Sequence, residues 1–144
     1  MALSRGQAFW RTVPVLGAIL AVLAGCGDMS RGELERRVST LESLAAEGEL
    51  LASEVSRDRT KMTFARVRAR ELAEDADHEA EKMADATPSD GLADARDDAV
   101  EQAQALADAF GTLQVFPGDE GRGAQVEQTL KQHGEQLSEL AERL

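Results

Sequence analysis

From Leu34 onward, apolar and small residues return every three or four positions. Leu34, Val38, Leu41, Ala45, Gly48, Ala52 and Val55 fall on one line, and the phase continues through Met62, Ala65, Ala69, Leu72, Ala76 and Met83, with Arg59 in one slot. Such spacing turns one face of a helix towards a core, at close to a heptad period. No glycine or proline stands between Gly48 and Pro88, and the stretch is rich in good helix formers. Residues 31–86 therefore predict one helix about 84 Å long at 1.5 Å per residue, or two helices. The plausible break is Ser56-Arg57-Asp58-Arg59-Thr60, with Ser56 or Asp58 as cap. Ser30 and Glu33 have the spacing of a capping box, which marks the start of the first helix.

Thr87-Pro88-Ser89-Asp90-Gly91 punctuates the pattern. Thr87 suits an N-cap, and Pro88 suits the first position of a helix. Leu92, Ala95, Ala99, Ala103, Leu106, Phe110 and Leu113 then form a second stripe, with Asp94, Asp97, Asp98, Glu101 and Asp108 largely on the solvated remainder. Residues 116–123 hold a proline and three glycines and read as a flexible connector. Val126, Leu130, His133, Leu137, Leu140 and Leu144 make a third stripe at strict four-three spacing. Short connections make antiparallel neighbours. Residues 88–115 should run back along 60–86, and 124–144 along 31–56. The expected fold is all-α with coiled-coil-like seams. It is a long antiparallel helical hairpin if the first arm is straight and a four-helix bundle if that arm bends.

The pattern before residue 30 is of another kind. Arg5 and Arg11 precede an apolar run from Thr12 to Leu23, and no acidic residue occurs before Asp28. That run suits the apolar region of a signal peptide and falls short of the ~20 residues that span a bilayer as a helix. It ends in Leu23-Ala24-Gly25-Cys26, which holds the only cysteine of the chain. These four residues resemble the lipobox of bacterial lipoproteins. The resemblance implies that residues 1–25 are removed, that the Cys26 thiol joins diacylglycerol through a thioether, and that the new amine is often acylated. Two or more acyl chains anchor a protein stably where one does not. On this reading residues 26–32 are the lipidated cysteine and its tether, and 33–144 the helical domain.

Charge and composition narrow the picture. The formal net charge is −11 over 144 residues, and loss of Arg5 and Arg11 with the leader would take it to −13. A body this acidic is repelled by nucleic acid and by anionic headgroups, so it should stand off the bilayer with only the lipid embedded. Phe64, Phe110 and Phe116 are the only aromatic residues after the leader. The core must then come from Ala, Leu, Val and Met, and a core so thin favours a hairpin, a bundle or an oligomer.

Candidate chemistry is sparse. Asp75 and His78 share a helix face at i, i+3 and could supply two metal ligands, but a bundle di-iron site needs Glu-x-x-His twice with two further glutamates. A solvated histidine is the simpler reading. His133 occupies a seam position, where a polar residue usually sets register or oligomer state. The sharper alternative is a haem ligand opposite Met62 or Met83. The glycines at 118, 121 and 123 follow no strand and do not match a phosphate loop. Nothing has the spacing of a calcium loop or the setting of a nucleophile elbow. The sequence thus points to a non-catalytic envelope lipoprotein that needs no cofactor. It would be bound to the cell or outer membrane through Cys26 and would act on other envelope proteins or on itself. The alternatives are a bundle that binds a metal, haem or small apolar ligand, and an accessory or sensor subunit of an envelope complex.

Overall fold

The structure, a computed structural model, describes residues 28–144. Residues 1–25, read above as a signal peptide, and Cys26 lie outside the described residues. The first arm is broken where its polar run falls. Helix α1 spans Arg31–Ser56 and α2 spans Met62–Asp85; α3 (Ala93–Val115) and α4 (Glu120–Arg143) follow. The break has a local cause. Asp58 takes a left-handed conformation with φ 51°, which Asp tolerates better than most residues, and the chain then turns back. Neither Ser56 nor Asp58 caps α2. Its N-cap position is Lys61, which makes no side-chain cap bond, while the Ser56 hydroxyl donates to the Ser53 carbonyl and the Glu127 carboxylate.

α1 packs chiefly on α4 and α2 chiefly on α3. The α3–α4 and α1–α2 faces close the square. This is an up-down-up-down bundle of four helices, and the pairings 88–115 with 60–86 and 124–144 with 31–56 are those the sequence predicts. The stripes face inward: Leu34, Val38, Leu41, Leu72, Met83, Leu106, Leu113, Leu130 and Leu137 are fully buried.

One aromatic ring ties the diagonal. Phe110 of α3 is fully buried and lies over Gly48 of α1, where a Cβ would run into the Phe110 ring. A second glycine brings two backbones together. A Cβ on Gly123 would stand 2.8 Å from the Ser56 amide nitrogen and 3.1 Å from the Ala52 carbonyl oxygen. Glycine at 123 therefore serves close helix approach, so residues 120–123 are helix and the expected long connector shrinks. The Asp119 side chain accepts from the Arg122 amide at 2.8 Å and caps α4, leaving only Phe116–Asp119 between α3 and α4.

The start of α3 also differs from expectation. Thr87 and Pro88 do not open the helix; α3 begins at Ala93 with Leu92 before it. Instead, the Met29 amide donates to the Thr87 carbonyl at 2.7 Å, and the Ser89 amide donates to the Met29 carbonyl at 3.1 Å. Gly91, at φ 80°, then turns the chain into α3. Met29, which falls in the stretch read as tether, is fully buried in the core. Ser30 caps α1 as its spacing predicts, accepting from the Glu33 amide at 3.2 Å. The reciprocal half of the capping box is missing, because the Glu33 carboxylate turns to Arg37 at 2.8 Å.

The bundle therefore has two unlike ends. At the root lie the start of α1, the α2–α3 connection and the end of α4. At the tip lie the α1–α2 turn and the α3–α4 turn. α1 alone is about 39 Å long at 1.5 Å per residue.

Candidate functional site

The residues singled out from the sequence do not converge. Asp75 and His78 are both exposed on α2, and among the described residues no three His, Cys, Asp or Glu side chains gather as a metal site requires. His133 is half-buried, and its Nδ1 lies 2.7 Å from the Gln102 Oε1 of α3. A seam histidine is thus paired across the α3–α4 face. Met83 is buried near the root end of α2, whereas Met62 is 62% exposed at its tip end. That exposure corrects the expectation that Met62 continues the buried stripe. The phase survives the turn at 57–61, but Met62 is the first residue of α2, at the open end of the bundle, and the first apolar residue of α2 to enter the core is Ala65.

What the tip offers instead is bare apolar surface. Leu50 is 64% exposed, Phe64 60% and Val115 65%, with Met62, Val67 and Phe116 also open to solvent. These six are all the exposed large hydrophobic side chains among the described residues, and all lie on the tip half of the bundle. Leu50, Leu51 and Phe64 line a groove of about 250 Å³ between α1 and α2, together with Glu54, Arg59 and Thr60. Val67 sits one turn along α2 from Phe64, on the same side. The turns contribute the rest. Phe116 carries the Arg122 guanidinium 4.8 Å above its ring, and Gly118 abuts Met62, whose sulfur would stand 2.7 Å from a Cβ there.

Charge divides in the same direction. Residues 50–66 and 113–128, the outer part of the tip, hold five acidic and five basic side chains. The remainder of residues 28–144 holds twenty-two acidic and nine basic side chains. The whole excess of −13 sits away from the tip. Within the tip the signs are also separated. The α1–α2 corner has Arg57, Arg59, Lys61 and Arg66 against Glu54 and Asp58. The α3–α4 corner has Asp119, Glu120 and Glu127 against Arg122. Some of these charges are spent on local pairs, as in Arg59–Glu54 at 2.6 Å and Arg57–Glu127 at 3.9 Å. Lys61, Arg66 and Glu120 make no ion pair among the described residues.

The root is closed by polar as well as apolar contacts. Arg96 donates to the carbonyls of Met83, Ala84 and Ala86 and so satisfies the C-terminal end of α2. Arg37 bridges Glu33 and Glu79 at 2.8 and 2.9 Å. Burial opposes the Arg37 charge, but the hydrogen bonds to Glu33 and Glu79 outweigh it and hold the guanidinium above its ordinary value. Midway along, Arg68 is raised likewise by its hydrogen bonds to Glu71 and Glu47, across the α1–α2 face.

The tip could have been found in the sequence. Leu50, Phe64 and Val67 are large apolar residues that fall off the helical stripe, and a residue off the stripe has no core to enter. None of the described helices is long and apolar enough to cross a membrane. No family model, no curated protein and no solved structure matches the chain.

Proposed function

We propose that this chain is a non-catalytic, lipid-anchored protein-interaction module of a bacterial cell envelope. It is tethered at Cys26 and holds a protein partner at its tip. The observation that carries this reading is the gathering of six exposed apolar side chains at the end of the bundle opposite residue 28. Leu50, Met62, Phe64 and Val115 are each at least 60% exposed, and a gathering of large apolar side chains on one end is the kind of patch that marks an interaction site. Met29, three residues after Cys26, is fully buried. A body anchored at Cys26 thus has almost no slack, and its tip stands about 40 Å from the anchor. The acidic flanks of the bundle, repelled by anionic headgroups, keep the body from lying along the bilayer.

The test has two parts. Mass spectrometry of the mature protein should find a diacylglyceryl cysteine at position 26 as the first residue. Crosslinking in the native membrane should yield protein adducts that vanish in Met62→Ser/Phe64→Ser and persist in an exposed root variant such as Asp94→Ser. An unmodified Cys26 with the leader attached removes the anchoring. Adducts indifferent to the tip substitutions remove the tip as the working surface.

The groove between Leu50 and Phe64 favours a second reading, a small apolar ligand held on the α1–α2 face. Binding of an apolar fluorescent probe that Phe64→Ser abolishes, at unchanged helicity, would support it.

A further inference from the structure

The tip carries the signature of a surface that fits its own copy, and we propose that its occupant is a second molecule of this chain, bound about a two-fold axis. This rests on the tip being the docking surface, as argued above, and adds the identity of the partner.

Three observations lead to it. First, a molecule with an excess of −13 repels its own kind over most of its surface. The outer tip, with five charges of each sign, is the one end where two such bodies approach without that cost. A cationic partner, by contrast, would be drawn to the root. Second, a two-fold interface places patch i of one copy on patch j of the other, and j on i. The tip has a basic corner at the α1–α2 turn and an acidic corner at the α3–α4 turn, with Met62, Phe64, Val115 and Phe116 among them. A half-turn sets each basic corner on the other copy's acidic corner, so that Lys61 and Arg66, which no internal ion pair uses, meet Asp119 and Glu120, which are likewise without one among the described residues. Third, the area suffices. Six exposed large apolar side chains spread over both turns, with the charged residues around them, have the extent of a protein partner's footprint, which is ~800 Å² per partner in an ordinary specific interface. A single small molecule would leave most of it wet. With both copies anchored in one membrane, the axis stands along the membrane normal, and bodies that lean together at their tips keep the two acidic roots apart.

The experiment uses the full chain in its native membrane, carrying a photo-crosslinking residue in place of exposed Phe64 and present as two differently tagged versions. The expected adduct joins the two tags. Charge variants then test the register. Lys61→Glu/Arg66→Glu reverses the basic corner. Asp119→Asn/Glu120→Lys reverses the acidic one, with asparagine keeping the helix cap. Each variant alone should lose about tenfold of the two-tag adduct, and the two expressed together should recover it, because opposite corners again face each other. Circular dichroism of each variant shows that the bundle is intact. An adduct with a different protein overturns the second-copy inference but leaves the tip as a docking surface. An adduct with lipid alone, or none, overturns both. A two-tag adduct that ignores both charge variants, or one that the mixture fails to restore, overturns the two-fold register and with it the proposal.

Discussion

The two ends of this bundle are made of similar residues and put to opposite use. Each has a methionine, a helix–helix turn and several arginines. At the root, Met29 is fully buried, while at the tip Met62 is mostly exposed. At the root, Arg96 satisfies the carbonyls at the end of α2 and Arg37 bridges two glutamates. At the tip, Lys61 and Arg66 have no ion-pair partner among the described residues. The root is closed in on itself and strongly acidic, whereas the tip is open, apolar and balanced in charge. The comparison teaches that closed pairing and bare apolar surface are divided along the helix axis. Folding rests on the buried stripes, which reach into the tip through Val55, Phe110 and Leu113, so the apolar side chains exposed there contribute little to it.

Paired substitutions test that division. The largest contrast is between two phenylalanines. Phe110→Ala should cost about 3–5 kcal/mol, since it empties the ring site over Gly48. Phe64→Ala should change stability by less than about 0.5 kcal/mol, as is usual for exposed positions. Urea unfolding of both variants measures this, and equal losses would abolish the distinction. Next, Met29→Ala should cost about 2–4 kcal/mol by opening the root, while Met62→Ala should be nearly neutral.

Gly123→Ala should cost about 1–3 kcal/mol, because the added methyl meets the backbone of α1 and not a flexible side chain. A neutral result would mean that α1 and α4 can part there without loss. The smallest effect is electrostatic. Arg37→Gln should destabilise by about 1 kcal/mol, and high salt should shrink the difference, because the ion pairs with Glu33 and Glu79 are partly exposed. Arg59→Gln at the tip should do less, since Arg59 is itself more than half exposed.

Much of the interior was legible because a helix repeats. A residue every three or four positions must share a face, and Leu34 through Val55, Ala65 through Met83, and Leu106 through Leu113 needed no further information to be assigned to the core. The break at 57–61 was legible as a polar run without apolar residues in phase. The antiparallel pairing was legible from matched lengths. Met62 was misread because it is the first residue of α2, in phase with the stripe but beyond the end of the packed core. Residues 120–123 were misread because glycine looks the same in sequence whether it loosens a loop or lets two backbones touch. Only the neighbouring helix distinguishes the two, here Ser56 and Ala52 against Gly123. Thr87 and Pro88 were misread for a similar reason, since their partner, Met29, lies nearly sixty residues away in the chain.

By itself, then, the sequence determined the class of fold, the inward faces and the order in which the helices run, because these follow from periodicity and connection length, which are local. The tertiary structure decided that the first arm bends, that Phe110 crosses the diagonal onto Gly48, and that Met29 closes the root. It also decided that Leu50, Met62, Phe64, Val67, Val115 and Phe116 gather at one end. Those outcomes depend on which residues meet after the chain has turned, and spacing along a single helix carries no record of that.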